Sequence, residues 1–143
     1  MDMLDNKYLK FFSWLFILIT VVSLIIAALI IYPYKVIEIK SLEVLTPNVK
    51  AGELFRWRVD FCKYMNLKAK TVRKVLDQKN VVWLTIEQET QFAPGCSNTV
   101  VDIKIPEDVP PGTYRIKSET LYQINPFRVE TLNLDIPEFQ VTP

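Results

Sequence analysis

The sequence contains no histidine, and only three glycines, Gly52, Gly95 and Gly112. Without an imidazole, the commonest general base, the commonest metal ligand and the Ser-His and Cys-His nucleophile pairs are all missing. Three scattered glycines cannot build a Gly-rich phosphate loop. There are two cysteines, with no paired Cys-x-x-Cys elements. Neither sign of charge dominates: 17 basic residues face 16 acidic ones, for a formal net charge of +1. Such a chain has no global field to draw nucleic acid or a polyanionic substrate. These absences lead to the expectation of no enzyme, no cofactor and no nucleic-acid partner.

What the sequence does have is one long apolar run. No charged side chain occurs between Phe11 and Tyr34. A helix over Phe11–Tyr32 would be about 33 Å long, matching a hydrocarbon core of about 30 Å. Trp14 at one end and Tyr32 and Tyr34 at the other suit the headgroup level. Lys10 and Lys35 bracket the run, and Pro33 would stop the helix. A cleaved signal peptide is the alternative, but its apolar region spans only about 7–15 residues. Ile25 and Ile26 also crowd the small-residue positions a cleavage site needs before Ala27-Ala28. The reading is a retained anchor, with residues 1–10 as a short cytoplasmic tail, 11–32 spanning the membrane and 33–35 linking to a domain over 36–143. Lys7 and Lys10 nearly balance Lys35 and Lys40, so orientation rests on two other points. The leading tail is short, and two cysteines suit an oxidising compartment. Residues 36–143 are therefore expected in a periplasm or its equivalent, with the N-terminus cytoplasmic at a bacterial inner membrane.

Beyond Lys35 the pattern changes to period two, broken by turn residues. The alternation predicts strands over Val36–Leu45, Glu53–Lys63, Ala69–Asp77, Val81–Gln91, Thr99–Ile105, Thr113–Gln123 and Val129–Val141, the last broken by Pro137. Phe92–Asn98 reads as a loop, and Asp77-Gln78-Lys79-Asn80 as a turn. In the second strand Phe55, Trp57, Val59 and Phe61 share one face, with Arg56, Arg58, Asp60 and Cys62 on the other. Trp57 is the expected centre of the core. Seven short strands without a helical period predict an all-β, two-sheet sandwich preceded by one transmembrane α-helix.

The segment Ile105-Pro106-Glu107-Asp108-Val109-Pro110-Pro111-Gly112-Thr113-Tyr114-Arg115-Ile116 resembles the E–F corner of immunoglobulin-like and fibronectin-like domains. In that corner a tyrosine hydroxyl bonds back to the turn backbone. The resemblance implies a seven-stranded immunoglobulin-like sandwich with Tyr114 in that role. It departs from antibody domains at Ile116, where the second inter-sheet cysteine would stand. The anchor, together with Ala51-Gly52-Glu53, Phe61-Cys62-Lys63-Tyr64, Pro94-Gly95-Cys96 and Tyr122-Gln123-Ile124-Asn125-Pro126-Phe127-Arg128, is similar to small uncharacterised phage-encoded membrane proteins. That similarity implies a viral or bacterial origin and carries over no mechanism.

Three groups of residues are candidate sites. Cys62 and Cys96 are expected to form a disulfide, adding about 3–4 kcal/mol by the chain-entropy argument. The competing reading joins them with Met65 in a soft-metal site suited to Cu(I). Lys63, Lys68, Lys70, Arg73, Lys74 and Lys79 concentrate positive charge with only Asp77 against them. They are either a contact for anionic lipid or an acidic partner, or a solvated face and edge guarded by lysines. The third candidate is the connection containing Asn125, Phe127 and Arg128, a contact loop by position. With only Pro33, Tyr34 and Lys35 between helix and first strand, a reach of about 10 Å, the expected partners are membrane lipid and an unidentified membrane or membrane-apposed protein. The functional expectation is a non-enzymatic, membrane-anchored interaction module. A structural accessory subunit of a larger membrane complex and a copper-handling accessory protein are the rivals.

Overall fold

The computed structural model describes residues 2–32 and 35–143, with the helix side chains described from Lys7 onward. Pro33 and Tyr34, expected as helix stop and interfacial anchor, lie outside the described residues. The chain divides into two compact units, residues 1–34 and 35–143.

The first unit is one helix, α1 (Asp2–Ile31), which begins nine residues earlier than the expected Phe11. Nothing in Met1–Lys10 breaks it, since that stretch has neither glycine nor proline. Within Lys7–Ile31 an 18-residue window reaches a mean hydropathy of 3.0, and none of that window is buried. Phe12, Trp14, Phe16, Leu18 and Leu24 are all more than half exposed. A helix greasy on all sides and covered by no protein is a candidate membrane anchor or signal sequence.

The second unit is almost wholly β: β1 (Ile37–Val44), β2 (Asn48–Lys50), β3 (Leu54–Lys63), β4 (Ala69–Asp77), β5 (Val82–Thr90), β6 (Gly95–Lys104), β7 (Gly112–Asn125) and β8 (Arg128–Thr142). Two sheets result, one in the order β1-β3-β6 and one in the order β2-β8-β7-β4-β5. Among the described residues there are eight strands rather than seven. The additional one, β2, is three residues long and pairs in parallel with the end of β8. It escapes a pattern argument because three residues carry no periodicity. The segment expected as a loop over Phe92–Asn98 is shorter, because β6 already starts at Gly95 and runs in register with β3 from Lys63↔Gly95. Pro137 does not end β8. Register passes from Ile116↔Ile136 to Tyr114↔Phe139, so Pro137 and Glu138 lie opposite Arg115 alone, a bulge that accommodates a residue with no N–H to donate.

The inner faces of the sheets share one core. Phe55, Trp57, Val59 and Phe61 are buried as the alternation requires, and Ile103, Ile105, Ile116 and Phe139 meet them. Phe55 stacks on Phe139 with centroids 4.1 Å apart. Full burial of side chains this large contributes roughly 1.5–3 kcal/mol each. At the corner following β6, the Tyr114 hydroxyl donates to the Pro110 carbonyl at 2.7 Å. The turn after β4 closes through Asp77, whose Oδ1 accepts from the Lys79 and Val81 amides. Asn80 there adopts φ 63°, a conformation asparagine tolerates better than most residues.

Candidate functional site

Three connections meet at one end of the sandwich, the end at which β1 begins: 64–68, 91–94 and the two-residue turn Pro126-Phe127. Each presents an aromatic ring to solvent, Tyr64 at 48%, Phe92 at 42% and Phe127 at 59% exposure. The Phe127 amide donates to Asn125 Oδ1, an Asx-type turn, and Arg128 pairs with Glu130 at 3.1 Å. Of these three tips only Phe127, with Asn125 and Arg128, is expected from the sequence. Tyr64 and Phe92 belong to the same surface because the register Ile37↔Lys63↔Gly95 and Ala69↔Tyr122 aligns their strand ends.

Lys63 organises this end from within. Expected among surface cations, it is instead 2% exposed, because it continues the inward alternation of Phe61. Its Nζ donates to the carbonyls of Leu67 (2.6 Å) and Phe92 (2.8 Å) and lies 5.9 Å from the Tyr122 ring centroid. One ammonium thus ties two loops together. Burial pulls its pKa below the ordinary lysine value.

The remaining cations are interleaved with acids around Lys70, whereas Lys74 stands opposite Lys117. Lys70 pairs with Glu87 at 2.8 Å, and cross-strand register sets Glu89 opposite Lys70 and both Glu87 and Glu119 opposite Val72. Along the segment itself only Asp77 is a counter-charge; the neighbouring strands supply the others. Lys68, Lys74 and Lys79 are exposed. The edge-guard interpretation also fails for β4, which is internal, flanked by β7 and β5.

Arg73 differs from all of these. It shares the inward face of β4 with Thr71 and Val75, and its guanidinium lies 6.0 Å from the Trp57 ring centroid. Its hydrogen bond goes to a neutral acceptor, Gln88 Oε1 at 3.1 Å. Desolvation lowers its pKa. Around it is a cleft of about 100 Å³ between the sheets, with Trp57, Val59 and Phe61 on one side and Thr71, Ser118 and Thr120 on the other. The Thr71 and Thr120 hydroxyls are bonded to each other at 3.1 Å.

Cys62 and Cys96 form a disulfide across the β3–β6 pair, on the face opposite Phe61. With both sulfurs in that bridge, no thiolate remains for a site with Met65. Among the described residues no group of three His, Cys, Asp or Glu side chains is arranged to hold a metal ion.

The entry of the chain into β1 is held by Glu38, which accepts from Lys35 (2.8 Å), Lys40 (2.8 Å) and the Tyr64 hydroxyl (2.7 Å). Lys35, then Lys40 and Tyr64, lower its pKa to about 2.

No protein-family profile matches the sequence, and no curated protein matches it. Among solved structures, the chain is similar to the crystal structure of the C-terminal domain of wzt, with TM-score 0.52 and 8% identity over 77% of this chain and 74% of that one. A family 123 glycoside hydrolase from Clostridium perfringens aligns at TM-score 0.47 and 7% identity, over 76% of this chain and 27% of that one. Spo0M, a sporulation control protein from Bacillus subtilis, aligns at TM-score 0.38 and 12% identity, over 72% and 49%. The first is a likeness of fold and of nothing more; the other two carry no argument. The chain is a β-rich, sandwich-like domain that follows one apolar helix.

Proposed function

We propose that this protein is a non-enzymatic interaction module, held by α1 at the outer face of a bacterial inner membrane and contacting a membrane-embedded or membrane-apposed protein through the loop end of its sandwich. One observation carries the reading: three connections from different parts of the chain each display an aromatic side chain at the same end. Exposed aromatic rings on a rigid scaffold are what contact surfaces are made of. The domain itself reads as immunoglobulin-like. Its strand order corresponds to A-B-E facing A′-G-F-C-C′, with Tyr114 as the strand-F tyrosine of the corner. The resemblance to phage-encoded membrane proteins suggests host-envelope modification, exclusion of competing phage or a virion membrane component as the setting.

The test is site-specific photo-crosslinking in the native host. A photoreactive residue at Phe92 or Phe127 is expected to capture one discrete protein, and the same residue at Glu119 or Asn133, on the outer sheet face, to capture none. Equal capture from both faces, or none from either, contradicts the proposal. An accessory-subunit role would instead show as stoichiometric partner crosslinks from Thr20 or Ser23 in the helix, where hydroxyl side chains permit close helix packing.

A further inference from the structure

We infer that the inter-sheet cleft around Arg73 is a binding site for a small organic carboxylate, a carboxyl group carried on a short apolar chain. This site borders the loop-end contact surface at Phe92 but needs no protein partner.

Arg73 faces inward but is only partly buried. A guanidinium partly withdrawn from water is disfavoured to that extent unless it is paired and hydrogen-bonded. No carboxylate lies within ion-pair distance of Arg73 among the described residues, and its neighbours are a neutral amide and an indole face. Lys63, the second inward cation at this end, commits its ammonium to two carbonyls and likewise has no acidic partner among the described residues. The interior of the loop end is therefore positive and without a balancing anion.

The cleft's lining says what kind of anion fits. The guanidinium fork matches a carboxylate with two parallel hydrogen bonds. Ser118, 8% exposed, adds a hydroxyl beside it, and Thr71 and Thr120 add two more. Across the gap Val59 and Phe61 offer only carbon, as do Leu132 and Leu134 beside Ser118 and Thr120 on the same sheet. A wholly hydrophilic anion would leave that wall uncovered; a wholly apolar guest would leave the guanidinium unpaired. Volume limits the size: about 100 Å³ is less than the roughly 150 Å³ of a cavity that takes up benzene, so a short chain fits where a ring does not. The lining residues Thr90 and Phe92 are partly or largely exposed, which gives the cleft a route to solvent.

Fluorine NMR of 3-fluoropropionate, titrated with the full chain in non-ionic detergent micelles, tests the inference. Saturable binding is expected, with neutral 3-fluoropropanamide at least about tenfold weaker. Arg73→Gln should weaken 3-fluoropropionate binding at least about tenfold, and Arg73→Lys, which keeps charge but loses the fork, by less. Acid and amide binding equally well, no saturation of the acid by about 10 mM, or unchanged affinity in Arg73→Gln would each overturn it. The acid-against-amide comparison uses the unaltered protein, so the outcome does not depend on any variant folding.

Discussion

The same two sheets enclose very different interiors at their two ends. At the corner end, Phe55 stacks on Phe139, Ile105 and Ile116 are completely buried, and the polar atom of Tyr114 is satisfied by Pro110. At the loop end, the inward positions of β3, β4 and β7 include Lys63, Thr71, Arg73, Ser118 and Thr120 beside the apolar Phe61, Ala69 and Tyr122. Carbon-on-carbon burial stabilises a fold at little risk. A buried cation contributes only when its partners are in place, and is otherwise a cost. The contrast places stability at the corner end and, on the proposed function, recognition at the loop end.

That contrast can be broken most forcefully at Phe139. Phe139→Ala is expected to destabilise the protein by about 3–5 kcal/mol in urea melts, whereas Arg73→Met at the loop end should lie within about 1 kcal/mol of the parent or be more stable. Equal losses at both sites would abolish the distinction. Next in size is the bridge between β3 and β6. Replacing Cys62 and Cys96 together by serine should cost about 3–4 kcal/mol, lost equally when the parent is fully reduced.

Lys63→Met keeps volume but removes the donor from the Leu67 and Phe92 carbonyls. A loss of about 1–3 kcal/mol is expected, with faster hydrogen exchange confined to residues 64–68 and 91–94. Uniformly faster exchange would show that this lysine supports the whole fold and not the loop end alone. The smallest effect concerns Glu38, whose folded pKa of about 2 lies below its ordinary value of 4.5. A depressed carboxylate pKa means its contribution is complete above 4.5 and fades as pH falls toward 2. Glu38→Gln should flatten the parent's loss of stability across that interval. The Glu38 side chain is partly open to solvent, so added salt should shrink the difference.

Much of this architecture is legible in the sequence because alternation is a local signal. Phe55, Trp57, Val59 and Phe61 announce their own face, and Pro110-Pro111-Gly112 with Tyr114 announces the corner. The disulfide follows from there being only two cysteines, although register, Cys62↔Cys96, is what brings them together. What is not legible depends on neighbours far along the chain. Lys70 reads as part of a run of free positive charge until register places glutamates of β5 and β7 around it. β2 exists only because the end of β8 lies beside it. Lys63 and Arg73 are both hidden by chemical prejudice: each occupies an inward position by simple count, but a charged side chain is read as a surface residue. Following the alternation through Phe61 to Lys63, and from Thr71 through Arg73 to Val75, finds them.

Whether α1 stays on the protein as a membrane anchor decides everything proposed for the domain's setting. The most direct measurement is peptide mapping of the protein recovered from membranes after an alkaline carbonate wash. The domain is expected to stay in the pellet, with peptides from Phe11–Ile31 still attached. Recovery of residues 35–143 in the wash, cut free of that segment, would make the helix a signal sequence and contradict the anchor.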